Sequence, residues 1–239
     1  MKRILIFLSV IAMNTFSQGQ KYTTDTIETD EGKLTIYLLG HGTLMFNFKG
    51  LNIHIDPVRD FADYTVLPKA DIILITHHHP DHLDKTALSL IEKPETKYIV
   101  TPTVFNEIKK GFIMNNGEKR TVDGIQVEAV PAYNVTKDRD KFHPRGRDNG
   151  YVLTFGNKRV YIAGDTENTP EMEALKNISI AFLPMNQPYT MTPDQVADVA
   201  RKFTPEILYP YHYGNTDVSI LKELLKNQPD IEVRIRDMK

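Results

Sequence analysis

Apolar-rich runs of strand length recur early in the chain, at residues 34–39, 44–48, 52–56 and 71–75, with polar and turn-forming residues between them. That cadence predicts a meander of antiparallel strands. Helical and strand-like stretches then alternate, with helices over 85–91 and 103–110 and strands over 125–130, 151–155 and 159–162. The clearest helix start is Thr192-Pro193-Asp194-Gln195, which has a capping threonine, proline at the first helical position and glutamine at the third. Behind it Val196, Val199, Ala200 and Phe203 share one face, as a helix packed on a core requires. A last helix over 217–226 leads to a closing strand at 231–235. No fixed-period repeat or linker-rich boundary interrupts this order. It reads as one α/β domain of two packed sheets with outer helices, an αββα sandwich.

Composition agrees with a compact enzyme and adds an address. The chain has 239 residues, a formal charge of -2 and 41% hydrophobic content, enough for one sizeable core and without the basic excess of a nucleic-acid-binding protein. It begins Met1-Lys2-Arg3, continues with an apolar run over residues 4–13 and turns polar through residue 20. This is the layout of a secretory signal peptide, with cleavage expected after Ser17 or Gly19. The expected organisation is a leader over residues 1–19 and a single domain over 20–239, exported to the periplasm or secreted. The apolar run is well short of the roughly 20 residues that span a bilayer, so no stable membrane span is expected in the mature chain. Cysteine is absent, which excludes disulfides and a lipoprotein anchor.

The candidate chemistry begins after the strand-like residues 70–75, with Thr76-His77-His78-His79-Pro80-Asp81-His82, an H-x-H-x-D-H run. In an extended exit from a strand, His77 and His79 project to one side and His78 to the other, while Asp81 and His82 follow at the mouth of a helix. Imidazole suits zinc and its first-row neighbours, and a carboxylate adds an anionic ligand that can hold a water. The spacing therefore suits two adjacent metal ions. A surface histidine tract that binds metal adventitiously would look similar in isolation.

On this motif the chain resembles the metallo-β-lactamase superfamily, and in particular the branch that contains ascorbate-6-phosphate lactonases and N-acyl phosphatidylethanolamine phospholipases D. The likeness covers nearly the whole mature chain. Gly164-Asp165-Thr166 matches the bridging aspartate, Tyr209-Pro210-Tyr211-His212-Tyr213-Gly214 the last histidine, and Gly40-His41-Gly42 with Ile55-Asp56-Pro57 the opening of that branch. The resemblance implies a four-layer αββα sandwich with His77 and His79 on a first metal, Asp81, His82 and His212 on a second, and Asp165 touching both. Asp56 becomes the carboxylate expected behind a ligating imidazole. His41 stands close to the metals in this branch, where it would bind substrate, assist proton transfer or simply pack. Tyr189 would line the cleft or pack in a loop, and His54, inside an apolar strand, reads as structural.

One ligand is displaced. Where the branch has a histidine after a Pro-Ala pair, this chain has Pro131-Ala132-Tyr133-Asn134. Asparagine offers only a neutral carbonyl oxygen. His143, in the following loop, is the expected replacement; the alternatives leave Asn134 or only the remaining protein ligands at that site.

The function implied is metal-dependent hydrolysis of a small molecule, a lactone, ester or phosphodiester. One or two zinc ions would lower the pKa of bound water to about 7, and Asp81 would hold or deprotonate that water; the resemblance to the lactonases leaves manganese possible in their place. Lack of cysteine removes a zinc ligand found in several true β-lactamases and argues against antibiotic hydrolysis. Lys137, Arg139, Lys141, Arg145 and Arg147 could recognise an anionic group, or form a solvated loop balanced by Asp138, Asp140 and Asp148. Two other classes stay open. A metal-dependent oxidoreductase would need iron and an electron partner, and a non-catalytic metal-binding protein of the same fold would show no turnover.

Overall fold

The apolar runs build two seven-stranded sheets that share one plan, each starting as an antiparallel meander and finishing parallel. The structure, a computed structural model, describes residues 22–239; the leader expected over 1–19 lies outside them. In the first sheet β1 (Thr23–Thr29), β2 (Gly32–Gly40), β3 (Thr43–Phe48) and β4 (Leu51–Ile55) run antiparallel, and β5 (Ile72–Leu74), β6 (Lys97–Val100) and β7 (Phe112–Ile113) add in parallel. In the second, β8 (Lys119–Val122), β9 (Ile125–Ala132), β10 (Asp148–Phe155) and β11 (Lys158–Ile162) are antiparallel, followed in parallel by β12 (Ile180–Pro184), β13 (Ile207–Tyr211) and β14 (Glu232–Val233).

The expected antiparallel meander therefore fails at its last step, because β5 pairs parallel to β4, with Ile53 opposite Ile72. The connection from Asp56 to Asp71 is far longer than a hairpin turn and lets the chain cross over. Helices fill the crossovers between parallel strands: α1 (Lys85–Ile91), α2 (Pro102–Ile108), α3 (Pro170–Glu173), α4 (Pro193–Phe203) and α5 (Ile220–Leu224). The helix expected over 103–110 stops early because Lys109 takes a left-handed φ of 57°. The one expected over 217–226 shortens to α5, after a turn in which Asp217 accepts from the Ser219 amide and hydroxyl. At α4 the capping box forms, with the Gln195 amide on Thr192 Oγ1 and the Gln195 side chain on the Thr192 amide.

Period-two alternation decides which face each strand buries. Leu34, Ile36, Leu44, Phe46, Phe48, Ile72 and Leu74 enter the core between the sheets, whereas Met45, Ile73 and Ile75 join Ala87, Leu88, Ile91 and Val104 beneath α1 and α2. From the second sheet Phe155 meets Phe46 edge-on at 5.8 Å, and Phe182 stacks on Tyr209 at 4.8 Å. The result is the αββα sandwich. Its parallel strands bring their carboxyl ends to one edge, the place where open α/β sheets bind ligands.

His54 sits in β4 and is fully buried, with Nε2–H directed at the Pro68 carbonyl at 3.1 Å. Burial pushes its pKa down to about 4. Its folded-state pKa lies below that of the unfolded chain, so His54 costs nothing above pH 6.5 and destabilises as pH falls from 6.5 towards 4, by about 3 kcal/mol at the limit. His54→Gln keeps a donor for Pro68 but cannot titrate. Urea denaturation of the metal-free protein at pH 7 and pH 4.5 is expected to show a smaller acid-induced loss for the variant; equal losses would contradict this.

Candidate metal centre

Three connections at that edge carry the first candidates. After β5 the chain stays extended, and the Thr76 amide and hydroxyl donate to the two oxygens of Asp56 at 2.7 and 2.6 Å. Thus anchored, His77 is fully buried, and its Nε2 lies 3.1 Å from His79 Nδ1. Asp81 and His82 follow in the turn before α1. Asp165 comes three residues after β11, and His212 directly follows β13. His41, Asp56 and His212 all have left-handed φ, at 52°, 45° and 45°. Such geometry costs of order 1–3 kcal/mol per residue and persists only where neighbours enforce it. The His212 amide donates to the His41 carbonyl, and Asp56 is locked by its bonds to Thr76 and His82.

These residues form three overlapping groups. Ligand atoms of His77, His79 and His143 lie within 4.8 Å of one another, as do those of His41, Asp81, His82 and His212, and those of His77, His82 and Asp165. Asp165 stands between the first two groups. Its Oδ2 is 3.4 Å from both His143 Nε2 and His212 Nε2, and its Oδ1 is 3.4 Å from His82 Nε2.

The donor set fits divalent metal. Ligands bonded at about 2.0–2.1 Å in a tetrahedron are about 3.4 Å apart, which is the spacing around Asp165. His82 Nε2, His212 Nε2 and Asp165 Oδ1 are buried with no hydrogen-bond partner among the described residues, an expensive state for polar atoms unless an ion joins them. His82 Nδ1 is held by Asp56 at 2.8 Å, which leaves Nε2 turned into the group.

Electrostatics are those of a site with its charges crowded. Burial, with His82 next to it, holds His77 well below the ordinary histidine range, and burial with His143 lowers His79 to about 4. Burial opposes charge on His82 as well, but Asp165 and Asp56 outweigh it and raise its pKa. For Asp165 burial is outweighed by His212 and His82, and for Asp81 by the neighbouring His212 and the hydrogen bond from His41; both carboxyls sit below their ordinary range.

Asn134 is turned to another task. Its Nδ2 donates to the carbonyls of Arg139 and Tyr189, its amide N donates to the His143 carbonyl, and its Oδ1 is buried without a partner. Asn134 thus braces the loop that delivers His143. A residue missed in the sequence completes the brace: Glu167, fully buried, accepts the amides of Val135 and Thr136 and pairs with Arg139 at 3.2 Å. The only hint was its place two residues after Asp165. The loop's other arginines are also engaged, Arg145 with Glu171 and Arg147 with Asp148. Lys141 lies over the Phe142 ring at 5.1 Å. His78 is absent from all three groups.

The groups open into a cleft of about 360 Å³, lined by His79, Asp81, His143, Asp165 and His212 and by Pro80, Phe142, Asn186 and Tyr189. Tyr189 is 43% exposed and meets Phe142 edge-on at 4.9 Å, so it belongs to the rim. His41 is not among the lining residues; it is stacked on Phe61 and donates from Nε2 to Asp81 at 3.2 Å.

A sandwich of two mixed sheets with a histidine and aspartate cluster at the strand ends defines a metallo-β-lactamase fold. Residues 35–212 match the model of the β-lactamase superfamily domain, and the chain belongs to that superfamily. Among curated relatives it is 33% identical over 203 residues to a UPF0173 metal-dependent hydrolase of Koribacter versatilis, covering 77% of this chain and 86% of the relative. It is 31% identical over 189 residues to another from Nanoarchaeum equitans, covering 76% and 84%. A crystal structure of a protein from Parabacteroides distasonis, described as a metal-dependent hydrolase, superposes with a TM-score of 0.90 at 52% identity, over 92% of this chain and all of the other. The chain is a metal-dependent hydrolase of this fold.

Proposed function

We propose that this hydrolase holds two divalent ions, zinc or alternatively manganese, and cleaves a small lactone, ester or phosphodiester. The observation that carries the reading is the set of buried, partnerless His82 Nε2, His212 Nε2 and Asp165 Oδ1 at one end of an open cleft. His77, His79 and His143 would hold the first ion, Asp81, His82 and His212 the second, and Asp165 both. Bound there, such ions supply an activated water at neutral pH and a Lewis acid for the scissile group.

The chain's own contribution follows from the two carboxylates. Asp165 is nearly inaccessible, with 4% side-chain exposure, whereas Asp81 has 42% and faces the cleft. Asp81 is therefore the group able to take a proton from the attacking water and pass it to solvent. His41 donates to Asp81 Oδ2 and leaves Oδ1 for this purpose. Phe142 and Tyr189 form an aromatic wall for the group beside the scissile bond. Because the loop arginines are already paired, any anionic charge on the substrate is met at the metals rather than by an arginine fork.

The test is a panel of aryl esters, aryl phosphodiesters and lactones assayed with metal-loaded protein before and after chelation. Turnover that disappears with chelator and returns with zinc or manganese is expected. Stoichiometric iron with redox activity, or no turnover across the panel, overturns the reading. Export rests on the Met1-Lys2-Arg3 start and the apolar run that follows; fractionation that leaves full-length, unprocessed chain in the cytoplasm would refute it.

A further inference from the structure

The displaced histidine has a partner pair of its own. His143 directs Nε2 towards Asp165, and its other ring nitrogen, Nδ1, lies 3.4 Å from Oδ2 of Asp148, the first residue of β10. Asp148 is buried and gripped by Arg147, whose Nε and one terminal nitrogen donate to its two oxygens at 2.8 Å each. The same terminal nitrogen donates to the Phe142 carbonyl at 2.7 Å, one residue ahead of His143, and stands 3.5 Å from His79 Nε2.

We propose that Arg147 and Asp148 are the positioning residues of the first metal site, fixing the ring of His143 from behind. This rests on the reading of His77, His79 and His143 as that site's ligands. An imidazole that binds metal through Nε2 must carry its proton on Nδ1, and a carboxylate behind Nδ1 fixes both the tautomer and the ring plane. His143 comes from a loop, so it lacks the strand-end anchorage of His77. Arg147 supplies the missing stiffness by tying the carbonyl ahead of His143 to the carboxylate behind it, with the planar fork that suits a carboxylate. The second site meets the same need with Asp56, held by Thr76 without an arginine. The first site therefore has its outer carboxylate neutralised and no private carboxylate ligand, whereas the second has Asp81.

The experiment is a competition titration of metal-free protein with zinc against a chromophoric chelator, for wild type, His143→Ala, Asp148→Asn, Arg147→Gln and Arg147→Lys. Melting of the metal-free forms checks folding. Wild type is expected to bind two ions and His143→Ala one. Asp148→Asn and Arg147→Gln should keep one ion at wild-type affinity and bind the other about 10–100-fold more weakly. Arg147→Lys should fall between them, since an ammonium cannot reproduce the fork. Asp148→Asn and Arg147→Gln proteins that bind both ions as wild type does, or weaken both equally, overturn the proposal while leaving the site itself standing. His143→Ala protein that still binds two ions removes the ligand assignment beneath it, and wild type that binds none removes the metal reading altogether.

Discussion

Asp165→Asn is expected to reduce metal-dependent turnover about a thousandfold, equivalent to about 4 kcal/mol of transition-state stabilisation, and to leave the protein unable to retain two ions. The carboxylate is buried, and its oxygens lie 3.4 Å from nitrogens of His82, His143 and His212. Asparagine has nearly the same shape but no charge, and whichever way the amide turns, its NH2 faces an imidazole nitrogen that must present a lone pair. Two divalent ions drawn close together then lose the one anion that faces both groups. Metal content per chain by mass spectrometry, with kcat/KM on whichever panel substrate is turned over, checks the prediction. Circular dichroism separates loss of metal from loss of fold. Full occupancy by two ions in the variant would mean that Asp165 does not bridge.

The parts of this site visible in the sequence were those with local rules. Asp165 and His212 were placed by their resemblance to the family's bridging aspartate and last histidine, whereas His77 to His82 form one contiguous run that residue type and spacing carried. The α4 start was legible for the same reason, because a capping box lies within four residues. Strand β12 was not, since Ile180 to Pro184 form a short, wholly buried apolar run, and periodicity does not separate such a run from a buried helical segment. The parallel turn of β5 was equally hidden, because pairing direction depends on the path of the connection through space. Glu167 and Asp148 show the limit most clearly. Asp148 read only as a charge offset to nearby arginines, and its contact with His143 exists only after the loop folds back.

Asp56→Ala is expected to produce the largest loss of stability among the site variants, about 3–5 kcal/mol, the usual cost of leaving a buried pair with one partner. That is about 6–20 °C in Tm for a chain of this size. Asp56 is fully buried and accepts from the Thr76 amide, the Thr76 hydroxyl and His82 Nδ1 at 2.7, 2.6 and 2.8 Å. Alanine strands all three and must also adopt the left-handed φ of 45°. Asp56→Asn separates the structural part from the metal part. Asparagine tolerates that backbone, and its carbonyl oxygen can still take the Thr76 amide, so much of the stability should return. Its NH2, however, would then face His82 Nδ1 and favour the tautomer with the proton on Nε2, the nitrogen needed for metal. Asp56→Asn should therefore melt well above Asp56→Ala yet bind one of two ions about 10–100-fold more weakly than wild type. Thermal melting of metal-free protein and zinc competition on the same samples read the two effects independently. Wild-type zinc affinity at both sites in Asp56→Asn would reduce Asp56 to a packing role, with His82 oriented by something else.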